Sequence, residues 1–221
     1  MSFLELERDW RIMITSMTTE LENQRKLFVE TARQYIKRDG IEDLLTWLDT
    51  TDFYTAPAST KYHGNYAGGL AKHCLAVYHE LVFLMHGFNG FVDSGNPSKW
   101  HDKNLATFTM ENVAIVALFH DLCKVNTYVT EYRNVKKDGE WISEPYYTVH
   151  PDFQFGGHGS KSVYHCMRFI QLLPCEAAAI NAHMGAFDMS TYSQPASVYG
   201  ENPLAWLLHV ADESATYILD K

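Results

Sequence analysis

The stretch 111-ENVAIVALFHDLCKV-125 runs through seven apolar residues, Val113 to Phe119, and then turns abruptly to His120, Asp121 and Lys124. A segment apolar on every side predicts a helix buried on most of its faces. An ionised carboxylate at the end of such a segment is very costly unless a cation or strong hydrogen-bond donors offset it. A divalent metal would supply that cation. The same His-Asp dipeptide occurs at 101–102 in "WHDKN", but there the surroundings are polar and both side chains can be solvated, so no partner is required.

Working outward, the same conflict between polarity and burial recurs. Leu70, Cys74, Val77, Leu81 and Leu84 follow one another at spacings of four and three, predicting a helix from about Leu70 to His86 with His73 at the edge of its core-facing stripe. Asp212, in "LAWLLHVADESATYI", falls four after Leu208 and three before Ala215, which puts a second carboxylate on a face that should be buried. His158, in "GGHGSKS", opens a helix beside three glycines that permit close approach, and His183, in "INAHMGAF", closes one just before Gly185.

The rest of the chain frames these residues. Residues 2–38 predict one long helix or two abutting ones, ended by Gly40, and "IEDLLTWLD" predicts a short second helix. The turn-rich "TTDFYTAPASTKYHGNYAGG" connects it to the Leu70 helix, and "GFNGFVDSGNPSKWHDKN" (87–104) reads as a surface loop. "TYVTEYRNV" and "EWISEPYYTV", separated by "KKDG", predict a β-hairpin. Three further helices are expected, at about 159–172, 176–183 and 203–219.

Composition limits the function classes. With 221 residues, 46% of them apolar, the chain can bury a substantial core, and a formal charge of -9 disfavours binding extended duplex nucleic acid through its phosphates. A small anionic ligand is not disfavoured. No apolar run reaches the length of a membrane span and the N-terminus lacks the pattern of a secretory signal, so a cytoplasmic protein without membrane contact is expected. Four scattered cysteines, without a C-x-x-C pair, predict small buried thiols rather than disulfides or a cysteine zinc site.

Taken in order, "GGLAKH", "VALFHDLCKV", "GGHGSKSV", "NAHMG" and "LLHVAD" resemble the HD superfamily of metal-dependent phosphohydrolases, and more narrowly the HD domain of bacterial 3'-5' exoribonucleases and their stand-alone relatives. The resemblance covers about residues 60–219. It implies an all-α, HD-type helical bundle with a small inserted β-hairpin, in which 61–221 form the phosphohydrolase domain and 1–60 a helical extension packed on it. It also implies that His73, His120, Asp121 and Asp212 surround one metal, with Asp121 bridging to a second held by His158 and His183. One or two divalent ions are therefore expected, and imidazole and carboxylate ligands suit Mn, Fe, Co, Ni or Zn. Relatives often carry two adjacent histidines where this chain has His183 followed by Met184. The nucleic-acid-binding OB domain of the exoribonucleases does not occur in the chain, which favours a small phosphate ester as substrate.

The activity so implied is hydrolysis of a nucleotide, cyclic nucleotide or short oligonucleotide by a metal-activated water, with Asp121 and Lys124 as the catalytic residues. Lys124, four after His120, would neutralise phosphoryl charge, and His63 and Lys161 would contact substrate. His209 is placed to orient Asp212. The hairpin aromatics Tyr128, Tyr132, Trp141, Tyr146 and Tyr147 either roof the pocket or pack onto the bundle. Two other functions fit the same ligands: a di-iron oxygenase, and a non-catalytic binding module stabilised by its metal. The N-terminal helices offer a contact for a homo-oligomer.

Overall fold

The computed structural model describes residues 3–93, 108–150, 156–188 and 195–219. Eight α-helices and one β-hairpin are present among them: α1 (Phe3–Tyr35), α2 (Ile41–Asp49), α3 (Gly69–Asp93), α4 (Met110–Phe119), β1 (Tyr128–Lys137), β2 (Glu140–Val149), α5 (His158–Met167), α6 (Pro174–Ala182), α7 (Pro195–Glu201) and α8 (Pro203–Ser214). The molecule is thus mainly helical with a small inserted hairpin. None of the described helices is long and apolar enough to cross a membrane. The second His-Asp dipeptide, His101-Asp102, lies outside the described residues.

Helix α4 is the central rod. Every residue from Asn112 to Phe119 is buried, as the unbroken apolar run demands. Its start is fixed by a reciprocal cap in which Thr109 Oγ1 accepts from the Asn112 backbone and the Asn112 side chain accepts from the Thr109 backbone. Helices α3, α1 and α6 pack against it, and α8 closes the bundle against α3 and α6. Phe28 of α1 meets Phe53 edge-on at 5.0 Å and Phe119 of α4 at 6.1 Å, so the N-terminal helix shares one core with the rest of the bundle.

One buried ion pair ties the N-terminal segment to α6. Glu176, fully buried, accepts from Arg38 Nη1 at 2.5 Å and Nη2 at 3.0 Å, from Asn112 Nδ2 at 2.8 Å and from the Leu173 backbone at 2.7 Å. Four donors converge on one carboxylate, and the last of them caps α6. Gly40 is required beside this network. Its φ of 87° suits glycine, and a Cβ there would stand 1.9 Å from the Phe169 carbonyl oxygen.

Helix α3 continues to Asp93, past the loop start expected at Gly87. A glycine inside a helix costs only about 1 kcal/mol and does not end one unless the chain turns left-handed there. Helix α7 was not foreseen, and α5 stops at Met167 rather than near Leu172.

The hairpin is a two-stranded antiparallel ribbon in which Lys137 pairs with Glu140 across Asp138 and Gly139, both at positive φ (51° and 92°), the primed turn that an Asp-Gly pair selects. At its base Tyr128 donates to the Ala58 carbonyl at 3.2 Å. Farther out Tyr132 and Trp141 are 69% and 71% exposed, so the ribbon projects from the bundle. Of the two placements open to its aromatics, a roof over the pocket is not found: none of them lines the cavity described below.

Candidate metal centre

His120 and Asp121 sit where α4 gives way to a single 3-10 turn, Leu122–Lys124. His120 caps the helix, and its Nδ1 takes the Ala117 carbonyl, three residues back, at 2.8 Å. His183 repeats this arrangement at the end of α6, with Nδ1 2.7 Å from the Ile180 carbonyl. A carbonyl can only accept, so Nδ1 carries a proton in each ring and Nε2 is the atom that can offer a lone pair to a ligand. Both Nε2 atoms are fully buried and have no hydrogen-bond partner. Two ring nitrogens buried in this way beside carboxylates point to a cation site.

Around them stand His73 from α3, Asp121, and Asp212 from α8. His73 Nε2 lies 3.0 Å from Asp212 Oδ1 and 3.7 Å from Asp121 Oδ2. His120 Nε2 lies 3.4 Å from Asp121 Oδ2 and 3.8 Å from Asp212 Oδ1, and His183 Nε2 lies 3.6 Å from Asp121 Oδ1. Ligands about 2.0–2.2 Å from one ion stand about 3–4 Å from each other, the separations found here. Two overlapping groups, His73–His120–Asp121 and His120–His183–Asp212, each have ligand atoms within 4.8 Å of one another and could hold a metal ion.

The electrostatics agree. Burial pushes Asp121 towards its neutral form, but the Lys124 ammonium and His120 outweigh it and hold the carboxyl well below the usual range. Asp212 is also pushed up by burial and pulled lower by His73 and His120. Burial opposes a charge on His183, yet Asp121 raises its imidazole above the ordinary value. The cluster keeps both carboxylates ionised and so needs positive charge.

A cavity of about 600 Å³ opens over the cluster, with Lys124, Asp212, His63 and His158 in its wall. Tyr62, Phe187 and Tyr217, exposed by 80%, 69% and 56%, stand around it as an aromatic rim. Nothing in periodicity singles these three out. Their only signal is adjacency, since Phe187 follows His183 by four residues and Tyr217 follows Asp212 by five.

The remaining predicted residues are placed as follows. Lys124 does not project along the helical face of His120: the chain has left the α-helix by then, and the 3-10 turn sets Nζ 2.6 Å from Asp121 Oδ2. His63 lies tilted against His73, ring centroids 4.8 Å apart, and neither of its nitrogens has a hydrogen-bond partner. Burial, with His73 and Lys124 adding to it, lowers its imidazole to about 4. Backbone bonds from Ala58 to Gly64 and from Gly68 to Thr55 knit the loop that brings it there. Lys161 turns away to the Thr127 hydroxyl at 3.4 Å and does not line the cavity. His209 does not orient Asp212; its Nδ1 meets the His183 carbonyl at 2.7 Å and it stacks on Tyr199.

His158 belongs to neither of the two ligand groups. It stands exposed at the cavity wall with Nδ1 3.5 Å from Cys123 Sγ. The glycine after it lets α5 close on α6, because a Cβ at Gly159 would lie 2.2 Å from the Asn181 carbonyl oxygen. We expect Gly159→Ala to cost about 1–3 kcal/mol in urea unfolding, since helix and site must separate to admit the methyl group. No loss of stability would show that the two helices are not held in this contact.

Comparison with family models, curated proteins and solved structures finds no match to this chain.

Proposed function

We propose that this protein is an HD-type metal-dependent phosphohydrolase acting on a small phosphate ester of the nucleotide class. The observation that carries the reading is the meeting of buried, unpartnered His120 and His183 Nε2 atoms with two buried carboxylates under an open cavity. His73, His120, Asp121 and Asp212 would hold one divalent ion, and Asp121 would share its other oxygen with an ion near His183. Such an ion, when bound, lowers the pKa of a coordinated water and polarises phosphoryl oxygens.

The chain's own residues account for the rest of the site's work. The Nδ1–carbonyl bonds of His120 and His183 fix both ring planes before any ligand arrives. Asp121 offers its two oxygens to opposite sides, Oδ2 towards His73 and His120 and Oδ1 towards His183. Lys124, only 12% exposed, places a permanent positive charge in the cavity wall for a phosphoryl group to meet. A volume of about 600 Å³ suits a mononucleotide-sized molecule, and the aromatic rim supplies faces for a base. Lys161, which points elsewhere, has no part in this reading.

The test is hydrolysis of a generic phosphomonoester and a generic phosphodiester in manganese or zinc, by wild type and by Asp121→Ala. Wild type cleaves one ester class, and the substitution lowers the rate at least about a hundredfold. Metal-loaded wild type that cleaves neither class would overturn the proposal. Oxygen uptake by the iron-loaded protein in that case would favour the oxygenase instead.

A further inference from the structure

We infer that the outer edge of β1 pairs with the same edge of a second copy of this chain, joining two hairpins across a twofold axis at Tyr132 into one four-stranded antiparallel sheet. The inference concerns the inserted ribbon and is independent of the metal centre.

Among the described residues β1 and β2 pair only with each other, so each has an outer edge with no neighbouring strand. A two-stranded ribbon by itself is marginally stable in water. In an antiparallel pair, residues alternate between those that bond to the other strand and those whose N–H and C=O point away from it. His150 donates its backbone N–H to the Thr127 carbonyl at 2.8 Å, one step beyond the pair Tyr128–Val149, and this assigns the odd-numbered residues of β1 to the bonds with β2. Pro145, opposite Tyr132, agrees, because proline has no N–H to give. Thr130, Tyr132 and Asn134 therefore aim their backbone groups outward, and residues 130–134 are all exposed.

The two edges are not equally open. Pro145 interrupts the outer edge of β2, a common device against edge pairing, whereas β1 carries no proline and pairs over ten residues without a bulge.

The side chains of β1 are complementary to themselves. With the axis through Tyr132, Glu131 of each chain faces Arg133 of the partner subunit, Val129 faces the partner's Val135 and Thr130 faces the partner's Asn134. Moving the axis by one residue sets two glutamates or two arginines directly opposite each other, which destabilises a strand pair. A twofold axis perpendicular to the sheet runs the strand antiparallel to its own copy, so one patch satisfies itself. The same axis leaves both aromatic faces on one side, where Tyr132, 69% exposed, meets the partner's Tyr132. On that side of the ribbon Trp141, Pro145 and Tyr147 accompany it, and Lys136 is the only charge.

Sedimentation equilibrium of the full chain from about 5 µM to about 500 µM reads the association, which belongs to the small, reversible class of contact. We expect wild type to pass from one chain to two over this range. Glu131→Arg and Arg133→Glu each place like charges across the axis and should weaken self-association at least about tenfold. An equal mixture of the two variants restores both opposite-charge pairs and should dimerise as wild type does. Amide exchange followed by NMR needs no variant: on raising the concentration of wild type, the amides of Thr130, Tyr132 and Asn134 should slow at least about threefold, while those of Glu131 and Arg133, already bonded to β2, should not. Wild type that stays monomeric, or a dimer in which those three amides do not slow, would overturn the proposal. A mixture that stays monomeric while wild type dimerises would overturn the axis at Tyr132.

Discussion

Glu176→Ala should remove about 3–5 kcal/mol of unfolding free energy, the usual result of breaking a buried ion pair by removing one partner. Glu176 is fully buried and is the acceptor for Arg38, for the Asn112 side chain that caps α4, and for the Leu173 backbone that starts α6. The substitution leaves an amide and a backbone N–H without this acceptor, and leaves the Arg38 guanidinium with only the Gln171 carbonyl at 2.9 Å and Glu111 at 3.4 Å. Urea unfolding is the measurement, with the Arg38→Met, Glu176→Met double variant as its control. The double variant should regain part of the loss, because the stranded charge is gone, but not all of it, because Asn112 and Leu173 still lack an acceptor. A single-variant cost below about 1 kcal/mol would mean that water reaches Arg38 readily and that the pair does not hold α6 in place.

The second large effect is stabilisation by metal, and it has a distinctive pH dependence. An ion that binds only the folded chain adds about 2.7 kcal/mol at a hundred times its Kd. In chelator, the raised imidazole of His183 contributes stability that is complete below the ordinary histidine value of about 6.5 and is lost as pH rises through its higher folded value. In metal, that proton must leave for Nε2 to bind, so affinity grows over the same range. The difference in Tm between metal and chelator should therefore be larger at pH 8 than at pH 6. Asp121 and Asp212, held low, lose their contribution only when pH falls through their own folded values, so they do not enter this window. Asp121→Asn should abolish the metal-dependent rise, and an equal rise in that variant would locate the metal elsewhere.

The parts of this molecule that could be read from sequence are those in which a local pattern conflicts with solvation. The run Val113–Phe119 fixes a buried helix, and the residues just after it must then be compensated. Asp212 betrays itself by lying on an apolar stripe, and the Asp-Gly pair marks the hairpin turn. What stayed hidden depends on distance or on a change of helix type. Arg38 and Glu176 are 138 residues apart, and neither is unusual in its own segment. Lys124 was placed by counting along an α-helix that ends at Phe119, so its true partner, three residues back across a 3-10 turn, could not be found by that count. The contact of Cys123 Sγ with His158 Nδ1, 35 residues on, was equally invisible in the sequence.

The pairing of Lys124 with Asp121 also sets the charge that an incoming ligand would meet. With neutral histidines, the state reached above the raised value of His183, two buried carboxylates and one ammonium leave the empty cluster one unit negative, inside a chain that already carries -9. In the proposed metal centre one divalent ion would make that same cluster one unit positive, and Asp121 Oδ2, on which Lys124 Nζ rests at 2.6 Å, is among the oxygens that would hold it. Loading would then reverse the electrical sign of the pocket that Lys124 lines. On the proposed function, an anionic ester would be repelled by the empty protein and drawn to the filled one, so metal would bind before phosphate.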